Sequence, residues 1–98
     1  MRFGLALLAS VPLFVWQVGC AHPATREECV EIFNRTAELE LREQNITEPA
    51  LVEERTKAFM EARGEALIEK CQGQHITKSA LECVRRAQTS QAVNDCLY

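Results

Sequence analysis

Five cysteines and two histidines are the residues of this 98-residue chain best suited to chemistry. They are Cys20, Cys29, Cys71, Cys83, Cys96, His22 and His75. Three kinds of chemistry use such residues: nucleophilic catalysis, zinc binding and disulfide formation. Each of these makes a different demand on the surrounding residues and on the compartment in which the protein works.

Catalysis by a nucleophile requires a base and an orienting group beside it. Only two histidines are available, and all but one of the 14 carboxylates are glutamates. Most of these glutamates fall at solvent-facing helical spacings, where runs of charge form solvated faces. A chain of this size also has little room for a catalytic pocket. We therefore expect no catalytic residues, no cofactor and no enzymatic activity.

Zinc binding is the sharper alternative. Three residues separate Cys71 from His75, and Cys83 and Cys96 could complete a set of three cysteines and one histidine. The spacing contains no Cys-x-x-Cys pair. Disulfides are the default for thiols in an oxidising compartment outside the cytosol. If the chain is exported, we therefore expect disulfides and no metal.

Residues 1–19 indicate that the chain is exported. Arg2 is followed by the apolar run "FGLALLASVPLFVW", and small residues precede a break. This is the pattern of a secretory signal peptide. The run is shorter than the roughly 20 residues of a membrane-spanning helix, and Pro12 interrupts it. We therefore predict that residues 1–19 are a signal peptide that is removed.

The residues around Cys20 bear on how the leader is removed. The stretch "QVGC" resembles the lipobox of bacterial lipoproteins, with Gly19 before the cysteine and Gln17 where an aliphatic residue is usual. The resemblance implies that Cys20 is lipidated and becomes the first mature residue. An ordinary cut after Ala21 is the alternative. Five cysteines in an exported protein leave one unpaired, and lipidation of Cys20 leaves four, which favours the lipobox.

A lipidated Cys20 predicts a protein held at the bacterial cell envelope, in the outer membrane or on the periplasmic face of the inner membrane. Of the 11 basic residues only Arg2 precedes Cys20, whereas all 14 acidic residues follow it. This balance argues against a nucleic-acid partner. Twelve glutamates and seven basic residues lie within residues 26–70. We therefore expect an acidic surface on the first two helices.

Four helices are predicted after the leader. Thr25 and Glu28 have the spacing of a capping box, so the first helix should begin at Thr25 and run to about Gln44. Thr47 is expected to cap the second helix, with Pro49 in its first turn. The inward face of this second helix is predicted to contain Val52, Thr56, Phe59, Met60, Arg63, Leu67 and Cys71. Gly64 indicates either close approach of another helix or a surface position.

The last two predicted helices are short. Ser79 and Glu82 repeat the capping-box spacing, and Thr89 or Ser90 can cap the final helix. No run alternates in the manner of a strand. The predicted fold is therefore all-α: an antiparallel helical hairpin plus two short C-terminal helices. Residues 20–24 are predicted to be a tether, and residues 25–98 a single domain.

Two disulfides are expected to staple this domain. The short connection between the first two helices makes them antiparallel, which brings Cys29 beside Cys71. Cys83 and Cys96 flank the break before the last helix, and folding there brings them together. We therefore pair Cys29 with Cys71 and Cys83 with Cys96. The main rival pairs Cys29 with Cys83 and Cys71 with Cys96.

The layout of the chain resembles a family of known proteins. With "EECVEIFNR" in the first helix, a cysteine closing the second and then "ALECVRRAQTSQAVNDC", it is similar to the small cysteine-containing helical lipoproteins of delta-proteobacteria, those of myxobacteria especially. The resemblance implies a secreted or envelope protein and transfers no catalytic residue. We predict a non-enzymatic, lipid-anchored module that binds another envelope protein through its acidic helical surface. The alternative is a soluble periplasmic chaperone-like or ligand-binding protein, which resembles the small disulfide-clamped acid-stress chaperones in layout.

Overall fold

The computed structural model describes residues 21–98, which are almost entirely helical. In chain order the elements are β1 His22–Pro23, α1 Arg26–Glu43, α2 Pro49–Phe59, a π-helical turn Met60–Gly64, α3 Glu65–Cys71, β2 His75–Ile76, α4 Lys78–Arg86 and α5 Ser90–Leu97. The predicted all-α class is therefore confirmed. Cys20 and the predicted signal peptide lie outside the described residues. Within residues 21–98, no helix has the length and apolar character that crossing a membrane requires.

Helix α1 begins where the sequence predicts, because its capping box is formed. The backbone N–H of Glu28 donates to Thr25 Oγ1 at 3.2 Å, and the backbone N–H of Thr25 donates to Glu28 Oε1 at 2.9 Å. The first amides of a helix lack partners within the helix, so these two bonds stabilise its start. The helix ends at Glu43, and Asn45, with a φ of 63°, turns the chain toward α2.

Helix α2 begins differently from the prediction. Its N-cap is Glu48, no side chain caps it, and Thr47 is not the cap. Pro49 occupies the first position of the helix, where its missing N–H removes one of the donors that would otherwise lack a partner. The proline therefore starts this helix without help from a capping side chain.

The predicted cap of α4 is also wrong, whereas that of α5 lies at one of its two predicted positions. Thr77, which has extended backbone angles directly after β2, caps α4 by accepting the N–H of Ala80 at 3.0 Å. A capping box of Ser79 and Glu82 is therefore not the start of this helix. Thr89 caps α5, and its hydroxyl accepts the N–H of Ala92 at 3.0 Å.

The rod formed by α2, the π turn and α3 buries the predicted face only in part. Val52, Thr56, Met60 and Cys71 are half-buried, whereas Phe59, Arg63 and Leu67 are exposed. Buried or half-buried residues recur at every fourth position: Val52, Thr56, Met60, Gly64 and Ile68. In a regular α-helix residues four apart drift around the axis by about 40° per step. The π turn is wider and offsets this drift. Ile68 is therefore 1% exposed, whereas the predicted core residues Phe59 and Leu67 are 41% and 49% exposed.

Gly64 is buried inside the π turn. A Cβ atom at Gly64 would overlap with Met60 Sδ, so the methionine side chain occupies the space that a larger residue would need. The nearest side chain to Gly64 thus belongs to the same rod. Of the two predicted roles of Gly64, the surface position is wrong, because the residue is buried.

The predicted tether was residues 20–24, and the part of it that the structure describes belongs to the folded domain. His22 pairs with Ile76 and Pro23 with His75 in a two-stranded antiparallel sheet. Ala24 is 6% exposed, and its N–H donates to the carbonyl of Gln74 at 2.7 Å. Two-residue strands are too short to show alternation, which is why the sequence pattern predicted no strands. The chain is therefore fixed to the domain from His22 onward.

Two disulfides tie these elements together, and they join the pairs that the sequence analysis favoured. Cys29 in the first turn of α1 is bonded to Cys71 at the end of α3, with a Cα–Cα distance of 5.9 Å. Cys83 of α4 is bonded to Cys96 of α5, with a Cα–Cα distance of 5.7 Å. Both distances suit a disulfide.

Most of the buried residues form two clusters. One consists of Ala24, Cys29, Ile68, Ile76 and Leu81, and the other of Leu39, Val84, Ala87 and Val93. Ile32 and Leu97 pack against both clusters and thereby connect them.

The register set by the π turn predicts effects of very different size for two adjacent residues. Ile68→Ala should lower the free energy of unfolding by about 2–5 kcal/mol, because it leaves a cavity in the first cluster. Leu67→Ala should lower it by less than about 0.5 kcal/mol, because the side chain is half exposed. Urea denaturation of both oxidised variants measures the difference. A larger loss for Leu67→Ala would mean that the rod is a regular α-helix with the originally predicted face inside.

Candidate functional site

The residues considered for a zinc site are used differently in the structure. Cys71, Cys83 and Cys96 are all in disulfides, so none of them is a thiolate that could bind zinc. His75 lies exposed in β2. Among residues 21–98, no group of three His, Cys, Asp or Glu side chains is arranged to hold a metal ion.

Six glutamates gather around two arginines at the N-terminal end of α1. This acidic cluster consists of Glu27, Glu28, Glu31, Glu65, Glu69 and Glu82 around Arg26 and Arg85. It joins the first turns of α1 to α3 on one side and to α4 on the other. The cluster carries four more acidic than basic residues.

Two exposed ion pairs connect the helices within this cluster. Arg26 donates to both carboxylate oxygens of Glu65, at 2.5 and 3.2 Å, and Arg85 donates to both of Glu31, at 2.5 and 3.1 Å. These hydrogen bonds hold the pKa of each carboxyl below its ordinary value and raise the pKa of each guanidinium. The charges of Glu27 and Glu69 raise the pKa of Arg26 further.

Glu28 connects the acidic cluster to the N-terminal strand. Its carboxylate accepts the Thr25 backbone N–H and also contacts His22 Nε2 at 2.8 and 2.9 Å. The hydrogen bond from Thr25, and then the one with His22, lower the pKa of Glu28. The Glu28 side chain is only 18% exposed, so these bonds are less open to water than the two arginine pairs. They fix strand β1 against the start of α1.

The acids farther along α1 contribute less to an acidic surface. Glu38 lies within 4 Å of both Arg35 and Arg42, which neutralise its charge. Glu43 accepts the backbone N–H of Ser90 at 2.8 Å and contacts its hydroxyl. These carboxylates hold helices and connections together. The second half of α1 therefore adds less to the acidic surface than the first turns do.

An open groove of about 750 Å³ runs along a different face of α1. Its floor is the row Cys29, Ile32, Phe33, Thr36 and Glu40, and its sides are formed by α3, β2 and α5. Leu67, rotated outward by the π turn, and Leu97 add apolar surface. This groove could not be predicted from the sequence. Helical periodicity identifies the apolar face of a helix but does not show which elements cover that face.

Polar side chains also line the groove. They include Lys70 of α3, His75 of β2 and Glu40 of α1. The hydroxyl of Thr36 donates to the carbonyl of Ile32 at 2.8 Å and is already engaged. The groove thus combines apolar surface with both acidic and basic side chains.

The lowered pKa of Glu28 predicts a loss of stability in acid. Because its folded-state pKa lies below the ordinary value of 4.5, its contribution to stability is fully present above about pH 4.5 and is lost as the pH falls through the folded value. Glu28→Gln can keep the capping box. It should therefore show a smaller drop in the free energy of unfolding between pH 7 and pH 3 than the wild-type protein, as measured by urea denaturation.

The matched control is Glu27→Gln, which removes a neighbouring charge whose side chain makes no hydrogen bond in the described part of the chain. This variant should keep the pH dependence of the wild-type protein. If both variants lose the same acid sensitivity, net charge rather than the contacts of Glu28 sets the pH response.

The described domain therefore presents two surfaces beyond its core, the acidic cluster and the groove. Neither contains an assembled set of nucleophile, base and orienting group. No family model, no curated protein and no solved structure matches the chain.

Proposed function

We propose that this protein is a non-enzymatic module of the bacterial cell envelope, anchored by lipid on Cys20, which binds another protein through the acidic cluster. The observation that carries this proposal is the gathering of six glutamates around two arginines on three helices. Surface charge of one sign favours a partner of the opposite sign and speeds the encounter. The partner should therefore present lysines and arginines, and it is not a nucleic acid.

The position of the anchor supports this arrangement. Cys20 is two residues from His22, which is fixed to β2 by strand pairing and to Glu28 by hydrogen bonds. Lipid on Cys20 would hold the acidic cluster close to the membrane, with little free chain between them. A partner bound there would also lie near the membrane surface.

The engagement of the hydroxyl groups supports a non-enzymatic role. The hydroxyls of Thr36 and Ser90 bond with a backbone carbonyl and with Glu43, and that of Thr77 caps α4. His75, the histidine that lines the groove, makes no hydrogen bond with any of them. A hydroxyl nucleophile requires a base within hydrogen-bonding reach.

The alternative of a ligand-binding protein is favoured by a different observation, the apolar groove. Its volume of about 750 Å³ lies within the range of about 300–1,000 Å³ that is usual for small-molecule sites. The groove and the acidic cluster lie on different faces of α1, so the two functions do not compete for the same residues.

Lipidation of Cys20 predicts that the protein partitions into the detergent phase of Triton X-114. Cys20→Ser should shift it to the aqueous phase or leave an uncleaved precursor, because acyl chains provide the stable attachment. Gln17→Leu, which introduces the more usual lipobox residue, should remain anchored and serves as the control. Mass spectrometry should show an acylated Cys20 as the first residue. A free amino terminus at His22 would instead prove an ordinary cut after Ala21.

Binding through the acidic cluster predicts a salt-sensitive interaction. Envelope protein captured on the wild-type domain at low salt should be released as salt screens charges beyond about 8 Å. Glu27→Lys together with Glu69→Lys should weaken capture at least about tenfold, because like charges would then face each other. The control is Glu53→Lys with Glu54→Lys, which makes the same change of charge on α2. Equal loss in both double variants would assign the binding to net charge rather than to the cluster.

A further inference from the structure

Two asparagines of the chain begin a short motif that neither candidate surface uses. The stretch "NRT" starts at Asn34 and "NIT" at Asn45, and both match the Asn-x-Ser/Thr acceptor pattern of N-glycosylation. Serine and threonine share a hydroxyl group on the β carbon, so an enzyme that requires either one recognises that hydroxyl together with the asparagine amide. The fold decides whether both groups of a motif can be reached at once.

The motif at Asn34 lies within helix α1. Residues two apart on an α-helix point about 200° apart, so Asn34 and Thr36 face roughly opposite sides of the helix. The hydroxyl of Thr36 also donates to the carbonyl of Ile32 at 2.8 Å and is engaged within the helix. Although Asn34 is exposed, the fold therefore withholds this motif from a transferring enzyme.

The motif at Asn45 lies in the connection between α1 and α2. Asn45 and Thr47 are both exposed, and residues 46–48 are neither helix nor strand. Asn45 has a φ of 63°, and its backbone N–H donates to the carbonyl of Arg42 at 2.9 Å, as in a left-handed cap at the end of a helix. This role uses only its backbone. Within residues 21–98 the side-chain amide of Asn45 makes no hydrogen bond.

The hydroxyl of Thr47 is free as well. A threonine just before a helix commonly accepts one of the first backbone N–H groups. Here Glu48 is the N-cap of α2, and no side chain caps that helix. In the part of the chain that the structure describes, the Thr47 side chain makes no hydrogen bond. The amide and the hydroxyl of this motif are thus both open to solvent on a connection between helices.

We propose that Asn45, and not Asn34, is a site of N-glycosylation once the chain is exported. The side-chain nitrogen of Asn45 forms a bond to C1 of an oligosaccharide that is carried on a polyprenyl diphosphate. The bond between C1 and the diphosphate oxygen breaks, and the lipid diphosphate leaves with the bonding electrons. The nitrogen loses one proton to a base of the transferring enzyme. Acceptor motifs of this kind are modified on surface loops of secreted proteins, so the site requires export but not lipid on Cys20.

The position of Asn45 leaves the proposed binding surface uncovered. Helix α1 has 18 residues and is therefore about 27 Å long. The acidic cluster surrounds its first turns, whereas Asn45 lies two residues beyond its last residue. Neither Asn45 nor Thr47 lines the groove. A saccharide on Asn45 would project from the end of α1 that is farther from Cys20.

Peptide mapping of the processed protein, purified from its own organism as the form that lacks residues 1–19, tests the site. Trypsin separates the two motifs, because residues 27–35 contain Asn34 and residues 43–55 contain Asn45. Electron-transfer fragmentation should place a saccharide on Asn45 and show an unmodified Asn34. An unmodified peptide 43–55 would overturn the proposal, and so would equal occupancy of the two asparagines.

Variants expressed in the same organism test the dependence on the motif. Thr47→Ala should abolish the saccharide, whereas Thr47→Ser should keep it, because only the first change removes the hydroxyl. Thr47 does not cap α2, so both variants should fold with intact disulfides, as measured by mass and circular dichroism. Asn34→Gln is the matched control and should leave the occupancy of Asn45 unchanged. A saccharide that persists in Thr47→Ala would contradict the assignment.

Discussion

The disulfide between Cys29 and Cys71 is the constraint on which most of this domain depends. It fixes the start of α1 against the end of α3, and Cys29 itself belongs to the first buried cluster. In the chain-entropy model, closing this loop contributes about 4 kcal/mol, against about 3 kcal/mol for the shorter loop between Cys83 and Cys96. Domains of this size bury too little apolar surface to be stable without such links. The strand pair, the acidic cluster and one end of the groove all lie around this bond.

The π turn gives the rod that follows α1 two structural roles. By offsetting the drift of a regular helix, it turns Ile68 into the core and leaves Leu67 half exposed at the edge of the groove. Gly64 makes room for Met60 within the turn. The same local distortion therefore completes the core and supplies apolar surface for a ligand. Such turns interrupt α-helices rarely and are often found at functional sites.

The two candidate surfaces lie on different sides of α1. At 100° per residue, Glu27 and Glu31 project roughly opposite to the row that begins at Cys29. One side thus combines glutamates with paired arginines, and the other combines apolar side chains with a lysine and a histidine. If Cys20 carries lipid, both surfaces would work close to the membrane.

Local signals in the sequence determined the all-α class, the start of α1 at Thr25 and the favoured cysteine pairs, because a capping box and helical spacing act over a few residues. The predicted caps of α2 and α4 were wrong. A proline in the first turn sets the start of α2, and a two-residue strand sets the start of α4. Only the tertiary structure showed that residues 22–24 belong to the domain, since their partners lie some 50 residues away in the chain. It also decided that Ile68 rather than Leu67 is buried. An apolar helix face that no element covers has the same residue pattern as one that is covered. The sequence therefore could not show the groove along α1, which depends on where the other helices end.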